Sequence, residues 1–90
     1  MKHIHFQSAE QKLLDNGYEG VVIFRDESYD TALIGVSHDN RAVYSYEKMI
    51  RWYMKKHKCS REDAVDWIDF NTLGALPNEE TRKPIVVFGL

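Results

Sequence analysis

The pattern of apolar residues predicts an α+β fold. Its mostly antiparallel sheet is a three-strand meander plus a C-terminal strand, with an αα-hairpin and a short N-terminal helix packed on one face. Three observations carry this reading. Val21, Val22, Ile23 and Phe24 form an unbroken β-branched run, too short for a helix, bounded by Gly20 and the polar residues Arg25, Asp26, Glu27 and Ser28. Tyr46, Met49, Ile50, Tyr53, Met54 and His57 recur at intervals of three and four, while Lys48, Arg51, Lys55 and Lys58 fall on the opposite side. Pro84 introduces Ile85, Val86, Val87 and Phe88, and proline suits the first position of a strand.

In chain order, residues 2–6 alternate weakly between polar and apolar and suggest a short edge strand. Ser8 followed by Gln11 is a capping box, so a helix over 9–16 is expected, burying Leu13 and Leu14 and stopped by a left-handed Gly17. The run 21–24 reads as a central strand. A second strand over 31–36 turns through Ser37, His38, Asp39 and Asn40 into a third over 41–44, and Gly35 inside a strand suggests a bulge. The helix over 46–58 sends Trp52 to one flank, partly exposed. Ser60 caps a second helix after a link so short that the two form a hairpin. On that second helix Ala64, Trp67, Ile68 and Asn71 share one face, whereas Phe70 falls on the acidic side with Glu62, Asp63, Asp66 and Asp69. Leu76, Pro77 and Asn78 break the helix and open a surface loop.

Ninety residues imply one domain, 1–90, with a single core. An apolar fraction of 43% and a charged fraction of 29% are those of a soluble globule rather than a disordered chain. Nothing approaches the ~20 apolar residues of a membrane span and no signal segment opens the chain, so a cytoplasmic protein without membrane partners is expected. Cys59 is the only cysteine, which excludes an internal disulfide. The net charge of −2 hides a block: residues 1–47 sum to −4, residues 48–61 to +6 and residues 62–90 to −4.

No reaction centre is evident. His3 and His5 would share a strand face, but two ligands do not make a zinc site, and His38, His57 and Cys59 lack ligand spacing. Cys59 beside His57 and lysines is a weak nucleophile candidate, better explained as a small apolar residue before the Ser60 cap. Glu62 and Asp63 suit the first turn of a helix for electrostatic reasons alone. There is no phosphate-binding glycine loop and no hydrolase signature, so no cofactor is expected and enzyme activity is the less favoured class. A hydrolase would need a deep pocket collecting His38, Asp39 and Asp30.

Two binding readings remain. In one, Lys48, Arg51, Lys55 and Lys58 contact nucleic-acid phosphates while Trp52 stacks on a base; the neighbouring acidic helix argues against it. In the other, favoured here, Lys48, Arg51, Trp52, Lys55, Lys58, Asp66 and Phe70 form a partner-binding surface for another protein. Charge sets orientation and the aromatic residues supply affinity. Such a chain would be a monomer or homodimer.

From Tyr29 onward the chain resembles a group of small proteins, without assigned catalytic residues, from Gram-positive gut bacteria and their phages and mobile elements. The likeness rests on Tyr29-Asp30-Thr31-Ala32-Leu33-Ile34-Gly35-Val36, Arg41-Ala42-Val43-Tyr44, Tyr46-Glu47-Lys48-Met49-Ile50, Ala64-Val65-Asp66-Trp67-Ile68-Asp69-Phe70-Asn71-Thr72, Ala75-Leu76-Pro77 and Pro84-Ile85-Val86-Val87. Gly74 departs from it, standing where that group tends to carry a larger, often basic residue. The resemblance implies a phage or mobile-element accessory protein that binds and modulates a host protein, inhibition of a host defence nuclease being one version.

Overall fold

The first helix, α1 (Ala9–Asp15), begins where Ser8 Oγ accepts the Gln11 amide at 3.0 Å. Gln11 does not complete the capping box, because its side chain donates forward to Asp15 at 2.8 Å. A distant carboxylate takes over another exposed amide of that terminus: Asp30 Oδ1 accepts the Ala9 N–H at 2.8 Å. Gly17, at φ 85°, follows the helix end as expected. Leu14 does not join the core and is 53% exposed, since so short a helix presents one narrow stripe, filled by Ala9 and Leu13. The computed structural model describes residues 8–74 and 82–89. The edge strand expected over 2–6, with His3 and His5, and the loop at Leu76, Pro77 and Asn78 lie outside them.

The run Val21 to Phe24 is not a strand. It crosses the core as irregular chain, with Phe24 buried edge-on to Tyr29 (5.9 Å) and tilted against Tyr44 (4.8 Å). A ladder position is missing for it. The central strand β2 (Ala42–Ser45) has one edge paired with β1 (Leu33–Val36) and the other with β3 (Ile85–Val87), and the Leu33 carbonyl accepts the Lys12 ammonium at 3.2 Å.

The sheet therefore has three strands in the order β1-β2-β3 and is mixed, not mostly antiparallel. β1 and β2 form the expected hairpin through the 37–40 turn, where Asn40 is left-handed at φ 65° and the Ser37 amide bonds the Arg41 carbonyl at 2.8 Å. The register slips between Leu33 and Gly35, which is the bulge that glycine suggested. β3 runs parallel to β2, and the connection between them, residues 46–84, has the length that a crossover between parallel strands requires.

That connection starts with α2 (Tyr46–His57), capped by Ser45, whose Oγ accepts the Lys48 amide at 3.3 Å. Met49, Ile50 and Tyr53 are buried, so the lysine-rich side must face outward. Lys58 ends the helix in a left-handed conformation, φ 53°, and Ser60 immediately caps α3 (Arg61–Trp67) through the Asp63 amide at 3.1 Å. The rings of Tyr53 and Trp67 stack between the two helices at 4.9 Å.

The second helix does not continue in α geometry. Residues Ile68–Leu73 form a π turn, closed by the Gly74 amide on the Asp69 carbonyl at 3.1 Å. A wider turn advances less per residue than the ~100° of an α-helix, so the buried stripe passes through Ala64, Ile68 and Thr72. Asn71, expected inside, is swung out and donates to the Trp67 carbonyl at 3.2 Å. Gly74 is needed where it stands: a Cβ there would lie 2.6 Å from the Phe70 carbonyl oxygen.

Candidate functional site

Burial of Met49, Ile50 and Tyr53 fixes the roll of α2 and leaves Lys48, Arg51, Lys55 and Lys58 exposed. Lys48, Lys55 and Lys58 form no ion pair among the described residues, whereas Arg51 lies 3.5 Å from Glu47 one turn back. Glu47 is more strongly claimed by Arg61, which holds both its oxygens at 2.7 and 2.8 Å. That bidentate bond, with Arg51 adding a smaller effect, keeps the Glu47 carboxyl below its ordinary range.

Trp52 is half-buried rather than a projecting knob. Its ring centre lies 5.1 Å from that of Tyr29, and the Lys56 ammonium sits over the indole at 4.9 Å. Lys56 is held there by Glu27 at 3.0 Å, and the same carboxylate takes His57 at 2.9 Å.

Beneath Trp52, Tyr29 is wholly buried and left-handed, φ 46° and ψ 44°, a strained backbone for a bulky residue. Its hydroxyl is 2.7 Å from Thr72 Oγ1, and Thr72 donates to Asp26 Oδ2 at 2.6 Å. A threonine has one proton to give, so with Asp26 taking it, Tyr29 must be the donor to Thr72. Burial holds the Tyr29 phenol well above the usual tyrosine range, against the opposing pull of the Thr72 bond.

The strained backbone delivers the chain into the 3₁₀ turn Asp30–Ala32, which forms the far wall of a groove of about 360 Å³. Asp30, Thr31, Arg51, Trp52, Lys55 and Lys56 line it. Asp30 is already occupied: besides the α1 amide, its second oxygen accepts the Ser28 hydroxyl at 3.1 Å. The groove is therefore aromatic at its floor and cationic at its rim.

Of the seven residues singled out from sequence, Arg51, Trp52 and Lys55 meet in this groove. Lys48 and Lys58 share the helix but do not line it. Asp66 and Phe70 border a separate concavity with Asp63, Trp67 and Asn71, where Phe70 is 81% exposed. Close by, Asp69 accepts the Tyr46 hydroxyl at 2.7 Å; burial first, then that bond, push the Tyr46 phenol up to about 12. Asp30, Thr31 and Lys56 were missed as groove residues, as was Tyr29 behind Trp52, and only the helical spacing of Lys56 one turn after Trp52 hinted at any of them.

The trio required for a hydrolase does not converge. Asp39 is bound by the Ser37 hydroxyl and lies 3.6 Å from Arg41, which together lower its carboxyl; Asp30 caps α1; His38 is exposed and lines neither concavity. Cys59 is half-buried against the core. Among the described residues no group of three or more His, Cys, Asp or Glu side chains is placed to hold a metal ion, and no helix is long and apolar enough to cross a membrane. No protein-family model, curated protein or solved structure matches the chain.

Proposed function

We propose that this chain is a binding protein that regulates another protein, and that the Trp52 groove receives an acidic segment of that partner. In the setting the resemblance implies, it is a phage or mobile-element accessory factor acting on a host protein in the cytoplasm. A host defence nuclease is the first target to test. The observation that carries the reading is the groove's construction. An indole held from below by strained Tyr29 is flanked by Arg51 and Lys55, with Lys55 unpaired among the described residues. Such a surface offers apolar contact and charge together without a moving part, which favours tight association with a complementary carboxylate-bearing chain.

Nucleic-acid binding is weaker on the same geometry. Single-stranded nucleic acid is held by several aromatic faces in succession, whereas Trp52 is the one aromatic residue lining the groove among the described residues. A phosphate backbone running on past the groove would also meet Glu62, Asp63 and Asp66 of the neighbouring helix, which a short acidic segment need not touch.

The test compares the wild-type chain with Arg51→Glu/Lys55→Glu as bait in host extract, with bound proteins identified by mass spectrometry. A partner retained by the wild type and lost from the variant, reconstituted from purified components, supports the reading. Equal retention by both baits would reject the groove. Titration with labelled single-stranded RNA and DNA at low and high salt completes the comparison, since binding that collapses with salt would transfer the surface to nucleic acid.

A further inference from the structure

We infer that the chain pairs with a second copy of itself, each copy placing Phe70 and its flanking carboxylates in the Trp52 groove of the other. The inference rests on the reading that the groove takes an acidic segment with an apolar centre, and it goes further by naming one such segment on the molecule itself.

Phe70 is the most exposed large apolar side chain among the described residues, at 81%. Among the described residues no ring contact holds its side chain, and the π turn carries it into the concavity that Asp66 borders. Asp63 and Asp66 border the same concavity, and no basic residue lines it among the described residues. Opposite signs are thus built around an outward ring on one element and around a concave aromatic floor on another. A groove of about 360 Å³ is of the size that small ligands fill, enough for a phenyl ring with a carboxylate beside it.

Both halves sit on one helical hairpin, because α2 and α3 are joined through Lys58, Cys59 and Ser60, and Tyr53 stacks on Trp67 between them. Exchange of ring and groove between two copies is then reciprocal, which closes a two-fold dimer with two equal contacts. Arg51 and Lys55 of each groove face Asp63 and Asp66 of the other copy, so pairing weakens as salt rises. A partner protein with an acidic segment competes for the same groove.

Sedimentation velocity on the full chain over a wide concentration range tests this. The wild type should pass from monomer to dimer, and Phe70→Ser/Asp66→Lys should weaken the dimer about a hundredfold or more, since two buried rings are lost. Arg51→Glu/Lys55→Glu should do the same. Both variants alter exposed side chains only, and unchanged circular dichroism checks that they fold. Mixing the two variants should give a 1:1 dimer tighter than either variant forms alone and weaker than the wild type, because the mixed pair keeps one of the two ring-in-groove contacts intact. A wild type that stays monomeric, a dimer that survives in both variants, or a mixture that fails to pair would overturn the inference. A labelled synthetic peptide of aspartates around one phenylalanine separates the two ideas. If it binds the groove of a chain that remains monomeric, self-pairing falls while the acidic-segment reading stands; if it does not bind, that reading falls as well.

Discussion

Replacing Thr72 with valine tests whether the Tyr29, Thr72 and Asp26 chain of hydrogen bonds supports the groove floor. Thr72 is 2% exposed and Tyr29 is wholly buried, so Thr72→Val leaves the Tyr29 hydroxyl without its acceptor in a dry site. An orphaned buried hydroxyl costs about 1–3 kcal/mol. Asp26 is exposed and exchanges Thr72 for water at little cost. Tyr29→Phe removes the donor instead; Thr72 keeps its bond to Asp26, and the loss is about 1 kcal/mol. In the double variant no orphan remains, so it should be more stable than the two single losses together would allow, by about 1 kcal/mol. Urea unfolding followed by tryptophan fluorescence measures all four proteins, with the slope against denaturant held constant as the control. In thermal unfolding each kcal/mol corresponds to about 4–8 °C for a domain of this size. A Thr72→Val protein as stable as wild type, or strictly additive losses, would show that the chain of bonds is not what holds Tyr29 beneath Trp52.

Three further outcomes are expected. Gly74→Ala should destabilise the protein by about 1–3 kcal/mol and lower the thermal midpoint, because its methyl group meets the Phe70 carbonyl at 2.6 Å and the π turn must shift. Tyr44→Phe should change stability by no more than about 1 kcal/mol in urea unfolding, since the buried Tyr44 hydroxyl makes no well-formed hydrogen bond among the described residues and has only the Phe24 backbone as a weak neighbour. Burial pushes the Tyr44 and Tyr46 phenols up to about 12 and raises those of Tyr29 and Tyr53. A raised phenol favours the folded state while it stays protonated. Stability from this source is therefore full below pH 10 and is lost as pH climbs toward 12, which absorbance titration of phenolate alongside unfolding at each pH will reveal.

Much of the local structure was legible. Ser8 and Ser60 announce helix starts through their hydroxyls, Gly17 and Gly35 mark a left-handed stop and a bulge, and the spacing from Tyr46 to His57 orients α2. What failed was non-local. The run 21–24 has strand composition, but the two edges of β2 are taken by β1 and β3, a competition that no short window records. The direction of β3 was no more readable, because a helical hairpin followed by a long segment can return the chain to either end of the sheet. The π turn has no periodic signature, so Thr72 was passed over and Asn71 chosen for the interior. The groove suffered similarly: Tyr29 and Trp52 lie far apart in sequence, and Thr72 and Asp26 farther still.

Because one face of Trp52 rests on the hidden interior while its edge belongs to the groove, the position answers to two masters. Any change of that side chain is filtered first by whether the molecule still folds. Arg51 and Lys55 carry no such obligation, both being exposed, with the surface pair of Arg51 and Glu47 their one ion pair among the described residues. Drift in recognition during descent, and any deliberate retargeting in the laboratory, will therefore proceed by editing the rim around an indole that stays put.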